Sequence, residues 1–283
     1  MGTDIRIALM LFTVLAPAGA IAFAFMSARI VSLPARSAAA LRLERYLAVP
    51  IASCMVGLIA SATHLGTPSN ALYVLTGAGR SPLSNEVLAA VAFLSLAWLF
   101  WLTTFTKGMS PVAKKIWLTA ASVAAFWLVS RISVVYSIPT IPTWDSPYVP
   151  ASLWSTALTT SPLLCCASFA LAKDDTPRSC VWLLFAVGFL AALASVVLLA
   201  MQNAELAGIR DSYRTADVLV PYYGVCIAAF GVLALSGYGV SVVCLMKRRR
   251  LGAVPTCIGL ALAVFAAIVV RVPFYAMHMT VGM

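Results

Sequence analysis

Eight runs of apolar residues succeed one another along this chain, separated only by short polar or Pro/Gly-containing connectors. They fall at about 7–33, 41–63, 87–105, 112–138, 151–172, 180–201, 218–246 and 254–277. Each is close to the ~20 residues that carry a helix across a bilayer core of about 30 Å. A chain built this way has few folds open to it. In hydrocarbon every orphaned backbone amide or carbonyl costs several kcal/mol, so the runs must close into helices and pack as a bundle. The expected fold is all-α, a single eight-helix transmembrane domain over 1–283, with no soluble domain left over. Composition agrees: 62% of the residues are hydrophobic and only 10% charged, against about 45–50% and 25% in soluble chains. The start, MGTDIRIALMLFTVLAPAGA, has the look of a signal peptide, but the apolar run continues for a full span and Asp4 offsets Arg6. It reads as a retained first helix.

The charges orient the bundle. Connectors after the first, third, fifth and seventh runs carry thirteen basic residues: Arg29, Arg36, Arg42, Arg45, Lys107, Lys114, Lys115, Lys173, Arg178 and the run Lys247 to Arg250. The other side has four: Arg6, Arg80, Arg210 and Arg214. Basic loops stay in the cytoplasm, so both termini are expected on the outer side of a bacterial cytoplasmic membrane. The formal charge of +10 is then a topology signal, and no nucleic-acid binding is expected. Seven cysteines, mostly inside apolar runs and without a CxxC pair, suit packing better than a metal or cluster site.

Titratable groups are scarce, and the unusual ones gather on the outer side. The connector HLGTPSNALYVLTGAGRSPLSNE begins with His64, one of two histidines, and ends with Glu86, one of nine carboxylates. Helix four climbs outward through Arg131 and Tyr136 into a Pro-rich loop with Trp144. Helix six ends in MQNAELAGIRDSYR, and helix eight climbs through Arg271 towards His278. An ionisable residue inside a membrane is a functional hypothesis by default. Taken singly, His64 and Glu86 read equally well as helix caps, Ser84 or Asn85 serving as cap before Glu86. Arg131 and Arg271 taken singly read as snorkelling residues. Together they fit a quinol site. A quinol loses two protons with its two electrons, and an imidazole with a carboxylate near the interface can accept them and pass them to water.

Two rival readings follow from the same residues. One bis-histidine haem could use His64 and His278, although both sit at helix ends where a porphyrin would project into water. A transporter would show inverted repeats and broken helices around a midplane site, whereas here the polar groups crowd one face.

The blocks HLGTP with LSNE downstream, SRISVVYSIPTIPTW, MQNAELAGI followed by LVPYYG, and RVPFYAMHMTVGM resemble the membrane anchor subunit of the dimethyl sulfoxide reductase family. The resemblance runs from His64 to the C-terminus. It implies a haem-free eight-helix anchor, not catalytic for the terminal substrate, that binds and oxidises menaquinol to menaquinone. The implied partners are an iron–sulfur electron-transfer subunit, which receives the electrons, and a molybdopterin catalytic subunit, which uses them in anaerobic respiration. It further implies that His64 and Glu86 handle menaquinol, with Gly66 of the same block as a binding residue. Arg131, Tyr136 and Arg271 join them as pocket candidates from the residue-level reading. The connector SARIVSLPARSAAALRLER matches no block of the family. Related anchors serve oxidoreductases with other terminal substrates, so the final acceptor stays open.

Overall fold

The computed structural model describes residues 3–34, 37–63, 73–74, 76–106, 109–211, 214–248 and 250–279. Among these, secondary structure is helical apart from one isolated bridge between Arg210 and Thr215. The long helices are α1 (Thr3–Ser32), α2 (Ala38–Tyr46), α3 (Ala48–Ala62), α4 (Pro82–Thr103), α5 (Pro111–Val135), α6 (Tyr148–Leu171), α7 (Arg178–Glu205), α8 (Tyr223–Arg248) and α9 (Ala253–Ala276). The run at 41–63, expected as one helix, is two. Pro50 has no amide hydrogen and its ring clashes with the carbonyl four residues back, at Tyr46. The helix accordingly breaks at Leu47, and a new one starts with Pro50 in its first turn.

Among the described residues, seven helical stretches are long and apolar enough to cross a membrane: Ile7–Ser32, Ala38–Ala62, Pro82–Thr103, Pro111–Val135, Arg178–Gly208, Tyr223–Arg248 and Ala253–Ala276. The expectation of eight differs at α6, and packing supplies the reason. This helix carries Ser152, Ser155, Thr156, Thr159, Thr160, Ser161 and Ser168, every one buried. It packs against α1, α5, α7 and α9. A helix enclosed by other helices has no lipid-facing stripe to keep apolar, and hydroxyls that bond inside the bundle need no solvent. Thr156, Thr159 and Ser168 return their hydroxyls to carbonyls four residues back. Ser195 on α7 donates across to Ser155 at 2.9 Å, and Tyr238 on α8 donates to the Thr159 carbonyl at 2.6 Å.

Around this centre, α1 lies against α3, α5, α6 and α9, and α8 pairs with α9. Gly237 and Gly259 make the last approach possible. A Cβ on either would meet the other's carbonyl oxygen at 2.5 Å, the close backbone contact that small residues permit between membrane helices. Large apolar side chains such as Ile59, Leu99, Val123, Leu183, Leu190, Val232 and Phe265 point outward. In water such a surface would mark an interface, and in a bilayer it is the lipid contact. The two ion pairs found among the described residues hold one end of the bundle. Lys114 on α5 grips Glu44 on α2 at 2.6 and 2.8 Å, and Arg29 on α1 faces Asp174 after α6 at 3.5 Å.

Candidate functional site

The opposite end of the bundle is where α1, α4 and α6 begin and α5 and α9 finish, and its polar groups are arranged differently. Glu86 comes from α4. The expected span began at residue 87, but the helix starts at Pro82, a residue whose fixed φ and missing amide hydrogen suit the first turn. The expected caps Ser84 and Asn85 are displaced by Ser81, whose hydroxyl accepts from the Ser84 amide at 3.5 Å. Asn85 instead accepts from the Gly79 amide at 2.7 Å. Gly79 has φ +82, a conformation open to glycine. The extra turn carries Glu86 off the rim and into the helix, on the order of 6 Å past its start at 1.5 Å per residue. Its side chain is buried, and Oε2 has no hydrogen-bond partner.

Arg271 comes from α9, one turn before Tyr275. Its side chain is 1% exposed. Nη2 donates to Thr156 Oγ1 on α6 at 2.9 Å, and the Thr156 hydroxyl in turn donates to the Ser152 carbonyl at 2.8 Å. The guanidinium also lies over the Phe274 ring, 5.5 Å from its centroid. Its Nε has no partner, and neither described ion pair includes it.

Two tyrosines are coupled to both of these groups. Tyr136 caps the C-terminus of α5, and its ring packs edge-on to Tyr275 at 5.9 Å. Both tyrosines lie within electrostatic reach of Glu86 and of Arg271. The Tyr275 hydroxyl donates to the Leu9 carbonyl of α1 at 3.2 Å, with Thr13 Oγ1 at 3.4 Å. Trp144 closes the cluster. It stacks on Phe274 at 5.1 Å with planes 4° apart, and its indole donates to the Phe274 carbonyl at 3.0 Å. His278 sets its ring against the far side of Trp144, 5.1 Å away, and is itself exposed. Behind Arg271, Tyr223 donates to Gln202 Oε1 at 3.1 Å, leaving Gln202 Nε2 buried without a partner.

Of the residues anticipated from sequence, the structure brings Glu86, Tyr136 and Arg271 to one place. Arg131 makes no described contact with them. It is half-buried on α5 with its Nε unpartnered. His64 and Gly66 lie outside the described residues. Sequence reading missed Tyr275, Thr156 and Thr13. For Tyr275 a signal existed, since residues four apart share a helix face and the pattern RVPFY puts a phenol one turn beyond the buried arginine. For the two threonines none did, since hydroxyls recur all along α6 and a lone threonine in an apolar run such as α1 points to no partner.

Chemically, this is a packed aromatic cluster of Tyr136, Trp144, Phe274 and Tyr275 with a buried carboxyl group and a buried guanidinium within electrostatic reach of its phenols, each with an unsatisfied atom. An ionised group taken out of water without a partner is costly. An ionisable group kept in a membrane interior is therefore a functional-site candidate. Among the described residues no group of three or more metal-ligating side chains occurs.

Comparison with known proteins supplies a context for this geometry. The family described as DMSO reductase anchor subunit (DmsC) matches residues 1–277. The sequence is 34% identical over 231 residues to the anaerobic dimethyl sulfoxide reductase protein YnfH of Escherichia coli (strain K12), a match spanning 81% of the present protein and 79% of YnfH. It is 34% identical over 229 residues to the C subunit of anaerobic dimethyl sulfoxide reductase from the same organism, with the same two coverages. The C subunit of the Haemophilus influenzae enzyme is 29% identical over 245 residues, a match spanning 85% of the present protein and 84% of that subunit.

Proposed function

Given that the chain belongs to the family of DMSO reductase anchor subunits, a multi-pass protein of the bacterial inner membrane, we propose that it oxidises menaquinol as the membrane anchor of a molybdoenzyme complex. The observation that supports this reading is a pair of buried ionisable groups, Glu86 and Arg271, each with an unpartnered atom and both within electrostatic reach of Tyr136 and Tyr275 at one end of the bundle. A quinol headgroup carries two oxygens on opposite sides of a flat ring. Between these residues one oxygen would face a proton acceptor and the other a fixed donor, with aromatic walls to hold the ring.

In this account menaquinol enters sideways from the bilayer. Arg271 donates from Nε to one quinol oxygen. Glu86 accepts a proton from the other and passes it to water at the membrane face. His64, which follows the α3 cap Thr63 directly in sequence, orients the headgroup and accepts the second proton, with Gly66 beside it. Each menaquinol leaves as menaquinone after giving up two protons and two electrons. The electrons pass to an iron–sulfur subunit docked on the outer face and on to a molybdopterin subunit. The subunit itself carries no haem. The basic ends of the helices face the cytoplasm and both termini lie outside, with α6 crossing as an eighth span whose polarity is hidden by its neighbours. Protons and electrons then leave on the same side, so the step moves no net charge across the membrane. The names of the relatives point to dimethyl sulfoxide as terminal acceptor. An anchor serving another acceptor would use the same site.

A His64→Leu variant tests the assignment. Quinol-driven reduction should fall by about 10²-fold or more, the usual contribution of a positioned acid–base group. Assembly and reduction by an artificial dye donor should be unchanged. Normal quinol turnover would overturn it.

A further inference from the structure

The basic end of the bundle contains two adjoining cavities that quinol oxidation does not use. One is a cleft of about 510 Å³ between α1 and α7, lined by Phe25, Ala28 and Arg29 on one side and Cys180, Leu183 and Val187 on the other. Both helices pack on α6, which leaves a slot between them opening towards the bilayer. The second, of about 390 Å³, lies between the α6–α7 and α8–α9 connectors and holds Lys173, Asp175, Arg178 and Arg250. Asp174 lines the second cavity and reaches Arg29 in the first.

The charge balance of this pair of cavities is uneven. Asp174 is committed inward: its side chain is 1% exposed, faces Arg29 and accepts from Thr176 at 2.6 Å. Arg29, Lys173, Arg178 and Arg250 stand against Asp174 and Asp175, an excess of two positive charges. Lys247 and Arg248 extend it along the end of α8. An apolar slot that leads to a basic pocket at the end of the bundle has the shape and charge of a lipid with an anionic headgroup, and basic pockets between membrane helices bind such headgroups.

We propose that these cavities form one binding site for an anionic phospholipid, with an acyl chain in the α1–α7 cleft and the phosphate in the Lys173–Arg178–Arg250 pocket. The apolar lining and the basic pocket are used together, which neither a free anion nor a neutral lipid would do.

The test uses the full-length chain in nanodiscs and native mass spectrometry. Phosphatidylglycerol should be retained over phosphatidylcholine of the same acyl length by roughly tenfold. Lys173→Gln with Arg250→Gln, both exposed side chains, should bring that ratio close to one without moving the thermal transition in phosphatidylcholine, which serves as the folding control. Ala28→Phe, narrowing the cleft, should lower phosphatidylglycerol retention with every charge in place. Equal retention of the two lipids, or a ratio unchanged by the double variant or by Ala28→Phe, would overturn the site. Equal thermal protection by inorganic phosphate would show an anion site with no lipid in it. Displacement of the lipid by a short-chain menaquinone, insensitive to the double variant, would show a second quinone site instead. Either of these two results also overturns the proposal.

Discussion

A Glu86→Gln variant, assembled with its partner subunits, will reduce the terminal acceptor from menaquinol at least ~10²-fold more slowly than the parent, while reduction from an artificial donor keeps its rate. Glutamine preserves the volume and one acceptor oxygen but cannot take a proton, so the change isolates proton acceptance from packing. The effect should be large because no other buried carboxylate among the described residues lies at this end of the bundle. Of the carboxylates buried among the described residues, Glu44 belongs to the opposite end and is held by Lys114. Glu205, at the near end, is exposed and receives a hydrogen bond from Ser146 at 2.6 Å. Steady-state assays with the two donors read the outcome. A parallel fall with both would mean that Glu86 supports assembly, and an unchanged quinol rate would mean that it does not handle protons.

Arg271→Met should separate function from stability in the opposite sense to an ordinary core mutation. The parent buries a full positive charge with one described hydrogen bond, to Thr156, and one aromatic face. Replacing a buried charge with an apolar side chain of similar length removes a desolvation cost and is often neutral or stabilising. The thermal transition of the complex should therefore hold or rise. Quinol binding, by contrast, loses a charge-assisted hydrogen bond of about 1.5–3 kcal/mol, which corresponds to a roughly 10- to 100-fold rise in KM for the quinol. Melting curves and quinol titrations give both numbers. A lower transition with an unchanged KM would assign Arg271 to the fold alone, as a tie between α9 and α6.

Much of this architecture was legible because lipid imposes simple rules. All eight apolar runs form helices, seven of them apolar enough among the described residues to be candidate spans. What the runs hide is determined by neighbours. The hydroxyl-rich α6 falls short on hydropathy because it meets protein on most sides, and that depends on α1, α5, α7 and α9, which no local window contains. The break at Leu47 was readable from Pro50, and the early start of α4 from the Ser81–Pro82 pair. Both rest on backbone chemistry that a search for apolar runs passes over. That second detail matters for function, since it moves Glu86 from a loop rim to a buried helical position.

The site itself was legible in outline. Scarcity drew attention to Glu86 and Arg271, because an ionisable group in a membrane is expensive wherever it sits. Their relation through Tyr136 and Tyr275 was not, since it joins α4, α5 and α9 across the bundle. Arg131 shows the limit of reasoning from expense alone. It is as unusual in sequence as Arg271, yet it is only half-buried on α5 and makes no described contact with the tyrosine pair. Depth within the bundle, more than the presence of charge, distinguishes the two.

The central claim is that one quinol headgroup is held between Glu86 and Arg271 beside the two tyrosines. A density map of the assembled complex with a tight-binding menaquinol analogue tests it directly. Ring density is expected between Tyr136 and Tyr275, with one oxygen within hydrogen-bond distance of Glu86 and the other of the Arg271 guanidinium. An analogue that inhibits quinol oxidation while bound anywhere else, with the space between Glu86 and Arg271 filled only by protein or water, would contradict it.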